Sequence, residues 1–542
     1  MTHGDRMRNV ANRPLAALVT TLLVAAAAPL TLAALPASAQ PDDKPTFAKI
    51  ASGIPSAEVA LNRAKALWGG QAHSRDVTLT LRDLQARLPE LTGDDRLVAE
   101  ALLARPNGGD TQVEGQIGAL WPHNEAGNSP ACSLLVPICV HWTGRSTHQP
   151  PDVDNDTNGV PDQVDDTLSV MENVWDVEIN DLGYRPPLTD QRASIDDDGV
   201  NFDVYLSDIG DDGYYGYCTI DDSRNFNNYD FYDRSGYCVV DDDFSSAQFP
   251  MNTRLENLQV TAAHEFFHAI QYAYDFLEDT WYMEGTATWI EDEVYDAVND
   301  NRQYLLASQL RHPNRPLDTS SGTSQYGSWI YFRYLSERFG PNIVRTSWNR
   351  NDGSSIGPDD YSLRGIRKAI EIQGANFASV FADHARANIA PGLFYDEGAA
   401  YPSPSFDVKR LGGSKQTTGW INKRIDHMST FYVGAKPTSQ VGLNARARVQ
   451  VDGPSRASGS QARVLVHYDN GSYAASRVNL DGAGNGGITV DFGRSDVRRV
   501  SVGLINASDR FDRCFRFNTP YSCGGGIPVD DNRLYSVKVS LT

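Results

Sequence analysis

Two histidines at i and i+4, with a glutamate directly after the first, constrain this chain more than any other feature. The stretch runs Val260-Thr-Ala-Ala-His264-Glu265-Phe-Phe-His268-Ala-Ile-Gln271. On a helix, positions i and i+4 share a face, so both imidazoles aim at one point. Glu265 is rotated by about 100° from His264, near enough to reach a water at that point without ligating an ion there. The spacing predicts a helix over 260–271 that offers neutral nitrogen ligands and a carboxylate base beside them, the combination a zinc hydrolase needs.

Such a site takes a third protein ligand, and Trp281-Tyr-Met-Glu284-Gly285-Thr-Ala-Thr-Trp289-Ile-Glu291 follows closely in the chain. This run reads as a second helix entered through Trp281, brought alongside the first by an intervening turn. Glu284 is the expected third zinc ligand. Glu291 lies about two turns further on the same face, where it is placed to orient an imidazole.

His264-Glu265-x-x-His268 together with Trp281-x-x-Glu284-Gly285-x-Ala287-x-x-x-Glu291 resembles the gluzincin metallopeptidases. The second half looks most like a segment of their aminopeptidase-N-like branch, although the spacer after His268 is shorter than that branch and the thermolysin branch usually carry. His-Glu-Phe-Phe-His-Ala-Ile-Gln is also similar to a group of secreted bacterial metalloproteases known mainly by the motif. The resemblance implies zinc held by His264, His268 and Glu284, with Glu265 as general base. Gln325-Tyr326-Gly327-Ser-Trp329 resembles the helix whose tyrosine stabilises the tetrahedral intermediate in that branch. It implies Tyr326 as an oxyanion donor; the family's lysine is missing, and Tyr331, Tyr334 and His312 are competing candidates. The Gly-x-Met-Glu-Asn strand with which the aminopeptidases hold a substrate amine is not found before His264, which favours an endopeptidase.

The chain opens on Arg6, Arg8 and Arg13, then an apolar run from Pro14 to Ala34 and a small-x-small site at Ala37-Ser38-Ala39. That pattern predicts an export signal over residues 1–39, and no later stretch is apolar for long enough to cross a bilayer. The six cysteines then belong to an oxidising compartment. Short loops close most readily, so the favoured disulfides are Cys132 with Cys139, Cys218 with Cys238, and Cys514 with Cys523. A net charge of −21 argues against nucleic acid or anionic membrane as partners.

Asp154, Asp156, Asn158, Val160 (through its carbonyl), Asp162 and Asp165 fall at the ligand positions of a twelve-residue calcium loop, with Gly159 at the sharp turn. Asp165 replaces the usual glutamate, as in dockerin-type and thrombospondin-type repeats, and Pro161 removes a donor that paired loops use. A single structural calcium loop is expected over 152–165, with a helix from Asp166 to about Leu182. The acids Asp196–Asp198, Asp211–Asp212 and Asp241–Asp243 are either a second calcium site or solvated turns. His73, His123 and His384 carry no ligand spacing.

The expected fold class is α+β, with four regions. Residues 1–39 form the signal. Residues 40–125, helical at 56–68 and 94–105, form either a propeptide or a helical domain of the mature enzyme. Residues 126–402 form a zincin-like catalytic domain. Its twisted sheet draws on strands near 138–142, 202–206, 214–218 and 237–240, and helices at 325–335, 363–372 and 377–387 give it an α-rich lower half. Residues 403–542 carry short alternating runs with Gly, Asn and Asp turns, the signature of an antiparallel β-sandwich. The functional expectation is a secreted, monomeric, zinc-dependent endopeptidase with calcium as a structural ion and protein or peptide as substrate. The alternatives are a calcium-stabilised extracellular binding or adhesion protein with a degenerate zincin site, and a zinc aminopeptidase.

Overall fold

A computed structural model describes residues 54–68, 77–107, 120–121, 129–190, 200–222, 231–515 and 519–542. The expected signal, His73, His123 and Asp196–Asp198 lie outside these residues. The fold is α+β.

The described residues open with α1 (Ala57–Leu67), α2 (Thr78–Arg87) and α3 (Gly93–Leu102). Ala60, Leu61, Ala64 and Leu67 recur at helical spacing and are buried, which is why α1 was legible in sequence. The α2 helix was not expected, because Thr78-Leu-Thr-Leu81 alternates with the period of a strand. Packing decides in favour of the helix: Thr78, Leu79, Leu81, Arg82 and Leu84 are all buried.

A five-stranded sheet follows, built from β1 (Ala131–Cys132), β2 (Ile138–His141), β3 (Phe202–Ser207), β4 (Gly216–Ile220) and β5 (Gly236–Asp241) in the order β1-β2-β3-β5-β4. The β2–β3 and β3–β5 pairs are parallel; β4 runs antiparallel to β5 and is one of the two edge strands among the described residues. Both faces are covered. Val204, Leu206, Cys218, Ile220, Cys238 and Val240 point into the main core. Tyr205, Tyr217, Tyr237 and Val239, their neighbours at period two, pack under α1–α3. Between β2 and β3 runs α4 (Asp162–Trp175), which continues as one π-turn, Asp176–Asp181. It begins at Asp162, earlier than Asp166, since Pro161 sits extended at the cap position and leaves the next residues free to turn.

The sheet's inner face carries α5 (Arg254–Tyr274). A reciprocal capping box opens it: Thr253 Oγ1 accepts from the Glu256 amide, and the Glu256 carboxylate accepts from the Thr253 amide. The turn Asp275–Asp279 then reverses the chain into α6 (Thr280–Tyr295). Gly285 allows α6 to approach closely, because a Cβ there would lie 2.2 Å from Ser328 Oγ and 2.9 Å from the Phe332 ring. The helix expected over 325–335 is instead two, α7 (Ser324–Gly327) and α8 (Trp329–Phe339). Ser328 breaks the run by donating its hydroxyl back to the Gln325 carbonyl at 2.6 Å. The helical half closes with α9 (Asn342–Arg350), α10 (Leu363–Ile372) and α11 (Phe377–Ala387), the last two with the expected boundaries.

The C-terminal strands make two antiparallel-rich sheets with their own apolar core. In chain order they are β6 (Val408–Leu411), β7 (Ile421–Ile425), β8 (Ser429–Pro437), β9 (Arg446–Asp452), β10 (Ser460–Tyr468), β11 (Tyr473–Arg477), β12 (Gly486–Asp491), β13 (Val497–Asn506) and β16 (Arg533–Leu541), with the small pair β14 (Phe511–Asp512) and β15 (Ile527–Pro528) in the last long connection. One sheet has the order β11-β10-β13-β8-β6 and the other β12-β9-β16-β7. The three local disulfides are present: Cys132–Cys139, Cys218–Cys238 and Cys514–Cys523. Among the described residues no helix is long and apolar enough to cross a membrane.

Candidate metal centre

The long helix α5 is buried on nearly every side, so its two histidines meet protein on all flanks. His264 and His268 lie one turn apart, and their Nε2 atoms approach to 3.2 Å. From α6, Glu284 brings a carboxylate oxygen within 3.4 Å of the first Nε2 and 3.8 Å of the second. The ligand atoms of His264, His268 and Glu284 all lie within 4.8 Å of one another, and the three side chains are buried. This convergence depends on the turn Asp275–Asp279, whose shortness sets the spacer between His268 and Glu284. That turn is held by main-chain donors: Asp279 accepts from Cys523 and Gly524, and Glu278 accepts from Ser362.

Each imidazole is oriented through its other nitrogen. His264 Nδ1 is 2.8 Å from Glu291 Oε1, and His268 Nδ1 is 2.8 Å from Gln271 Oε1. Both partners are acceptors at those oxygens, so a proton sits on Nδ1 of each ring and Nε2 is the atom turned toward Glu284. Gln271 was not assigned a role from sequence. Its amide donates to the Met283 carbonyl at 2.9 Å and to Thr286 Oγ1 at 3.1 Å, joining α5 to the stretch that carries Glu284. The donor set of two imidazole nitrogens and one carboxylate, with oriented tautomers, fits a zinc ion.

Burial disfavours a charged imidazole at both positions. At His264 it is outweighed by hydrogen bonds to Glu284 and Glu291 and by neighbouring carboxylates, which raise the pKa well above the usual value. At His268 burial and the charge on His264 push it well below. Glu178, on the π-turn, is fully buried; burial raises its pKa well above the carboxylate range, only partly opposed by His264.

Glu265 stands beside the pair and lines a small hollow with His264, Glu291, Tyr215, Tyr304 and Tyr326. Gly216 on β4 is required by this proximity, since a Cβ there would fall 2.9 Å from Glu265 Cγ and 2.7 Å from Thr261 Cγ2. The Tyr326 ring is 6.3 Å from that of His264 and stacks on Tyr304 at 4.9 Å. Of the competing candidates, Tyr331 and Tyr334 pack instead against His384 in the helical core, and His312 is exposed. His384 is wholly buried and bonded to Asn388 and Tyr395, a packing residue as expected. A contact to Glu265 that sequence gave no sign of comes from α2: Thr78 Oγ1 donates to Glu265 Oε2 at 3.0 Å.

The loop at 152–165 turns at Gly159, whose φ of +90° favours glycine. Asp154 accepts from the amides of Asn158 and Gly159, and the Asn158 side-chain amide reaches both Asp156 and Asp165. Val160 donates its amide to Asn158 Oδ1, and Asp162, in the first turn of α4, accepts from the Asn155 amide. The carboxylates of this loop are not among the described sets drawn within 4.8 Å of each other, which are the histidine centre, Asp208 with Asp241 and Asp242, and Asp292 with Asp296 and Glu397. Burial pushes Asp241 up to about 7 and Asp242 up to about 9.

Residues 136–393, which carry the whole histidine centre, match a family model described as "Family of unknown function" (DUF6055). No curated protein matches the chain. Among solved structures, the pre-peptidase C-terminal domain of collagenase from Bacillus anthracis aligns at 12% identity and a TM-score of 0.15, covering 25% of this chain and 94% of that one. A family GH115 4-O-methyl-alpha-glucuronidase with specificity for decorated arabinogalactans aligns at 7% identity and a TM-score of 0.14, covering 53% of this chain and 38% of that one.

Proposed function

We propose that this protein is a secreted zinc peptidase with a zincin-like catalytic region, acting as an endopeptidase on protein or peptide substrates. The observation that carries the reading is the approach of His264 Nε2, His268 Nε2 and the Glu284 carboxylate to one another, with both histidines oriented from behind and Glu265 adjacent. His264, His268 and Glu284 would hold the zinc, which supplies Lewis acidity toward a carbonyl oxygen and makes water more acidic.

The chain's own groups account for the rest of the chemistry. Glu265 takes a proton from the attacking water and returns it to the leaving amine. Tyr326, whose ring lies 6.3 Å from that of His264, is the oxyanion donor. As an edge strand, β4 has outward main-chain groups to which an extended peptide can add in place of Thr78, which suits cleavage within a chain. The three disulfides support an extracellular address, and the loop at 152–165 is proposed to hold a structural calcium.

The test is metal content by mass spectrometry and casein digestion, on wild type beside Glu265→Gln. One zinc in both, with digestion by wild type only, is the expected result. Undiminished digestion by the variant would remove Glu265 as base. Absence of zinc from both would remove the peptidase reading and leave a calcium-stabilised binding protein as the better account.

A further inference from the structure

From the position of Thr78, we infer that the described residues 54–68 and 77–107 form an internal inhibitor, seated where a substrate peptide would bind. The inference rests on the peptidase reading above. Thr78 is wholly buried and opens α2. Its hydroxyl donates to Glu265 Oε2 at 3.0 Å, and Thr78 Oγ1 in turn accepts from the main-chain amide of Cys218 at 2.9 Å. Cys218 lies on β4, the last of the described strands on that side of the sheet, and an amide bonded to Thr78 points away from the β5 ladder. One side chain thus occupies both groups that a substrate needs: the outward donor of the edge strand and the carboxylate that must accept a proton from water.

The room left at the site agrees with this. The hollow between His264, Glu265, Tyr304 and Tyr326 has a volume of about 30 Å³. That is space for about one or two water molecules next to the carboxylate, while the wider opening lies beyond it, along Tyr304, Gln325 and Tyr326.

The segment is fastened along α2 and beyond it. Arg82 donates to the Glu278 carbonyl at 2.8 Å and reaches Thr280 Oγ1 at 3.3 Å, just ahead of Glu284. Tyr214 and Tyr237 donate their hydroxyls to the carbonyls of Leu67 and Leu103. Arg105 closes the segment with ion pairs to the buried Asp190 and Asp203 and to the partly buried Asp221. Apolar side chains of α1–α3 cover one face of the sheet, so the segment has the fastening of a folded partner and does not depend on Thr78 alone. Cutting the chain after Asn107 converts this partner from tethered to free, and dilution then favours its release.

The experiment places a site-specific protease sequence between Asn107 and Gly108 of the zinc-loaded protein. A fluorescent peptidyl hydroxamate serves as probe, and its association rate is measured before and after the cut. Uncut Thr78→Val is the second variant, since it keeps the tether and the shape but loses the hydroxyl. Association is expected to rise by about 100-fold or more on cutting and by about tenfold in Thr78→Val, the worth of a buried hydrogen bond to a charged group. A rise in either sample supports occlusion. Equal rates in all three samples, each holding zinc, would overturn it and leave the peptidase reading standing. Zinc absent from all three would overturn both.

Discussion

Nδ1 of His264 lies 2.8 Å from Oε1 of Glu291, and both side chains are buried. The carboxylate fixes the ring's tautomer and its direction, and it makes Nε2 a better electron donor. Replacing Glu291 with alanine is expected to weaken zinc binding by about 10–100-fold, and Glu291→Gln less, because an amide oxygen still accepts from Nδ1–H. Competition with a chelator of known affinity checks it. Unchanged affinity in Glu291→Ala would remove the orienting role.

Gln271 does the same for His268 and also joins two helices. In Gln271→Met the Met283 carbonyl and Thr286 hydroxyl lose a buried donor. The expected cost is about 1–3 kcal/mol of folding stability, together with weaker zinc binding. Urea titration should show a lower midpoint with an unchanged slope.

The histidine pair and Glu284 were legible because their geometry is local: helical spacing fixes the first, and one short turn positions the second. Glu291 was legible for the same reason. The disulfides followed from loop length alone. Other features were hidden by distance. Thr78 touches Glu265 across 187 positions of sequence, and nothing in a Thr-Leu-Thr-Leu run announces a helix start facing a carboxylate. Strands β6, β7 and β11 carry little signal in sequence, since several of their residues face solvent and interrupt the apolar alternation. The aromatic candidates near the site could be sorted only by tertiary packing, which brings Tyr326 toward His264 and sends Tyr331 and Tyr334 into the helical core.

Arg105 is 2% exposed and pairs with Asp190, Asp203 and Asp221. Arg105→Met removes the cation and leaves those carboxylates without it in a buried setting. A loss of about 3–5 kcal/mol is expected by calorimetry or denaturant unfolding, far above what a surface pair would give. A change under about 1 kcal/mol would mean that water reaches these acids.

His427 connects the helical half to the C-terminal sheets, and its contacts give a pH dependence of definite sign. Nε2 is 2.9 Å from Asp318 Oδ1, and Nδ1 is 2.6 Å from Asp531 Oδ1. The rings of Phe511 and Tyr521 stand edge-on against it. Burial opposes its charge, but the two carboxylates prevail and push its pKa up to about 10. Asp318 is correspondingly held below its usual value: burial opposes this, and His427 outweighs it. A histidine pKa raised in the folded state stabilises fully below the unfolded value of about 6.5, and that contribution is lost as pH rises through the folded value. The depressed Asp318 works the other way, contributing above about 3.8 and less as pH falls through its folded pKa. The pair is therefore most stabilising between about pH 4 and 6.5. Thermal unfolding midpoints of wild type should fall between pH 6.5 and 10. In His427→Gln the protein should start less stable at pH 6 and lose less over the same interval. Parallel pH profiles for the two proteins would show that His427 carries no charge in the folded state.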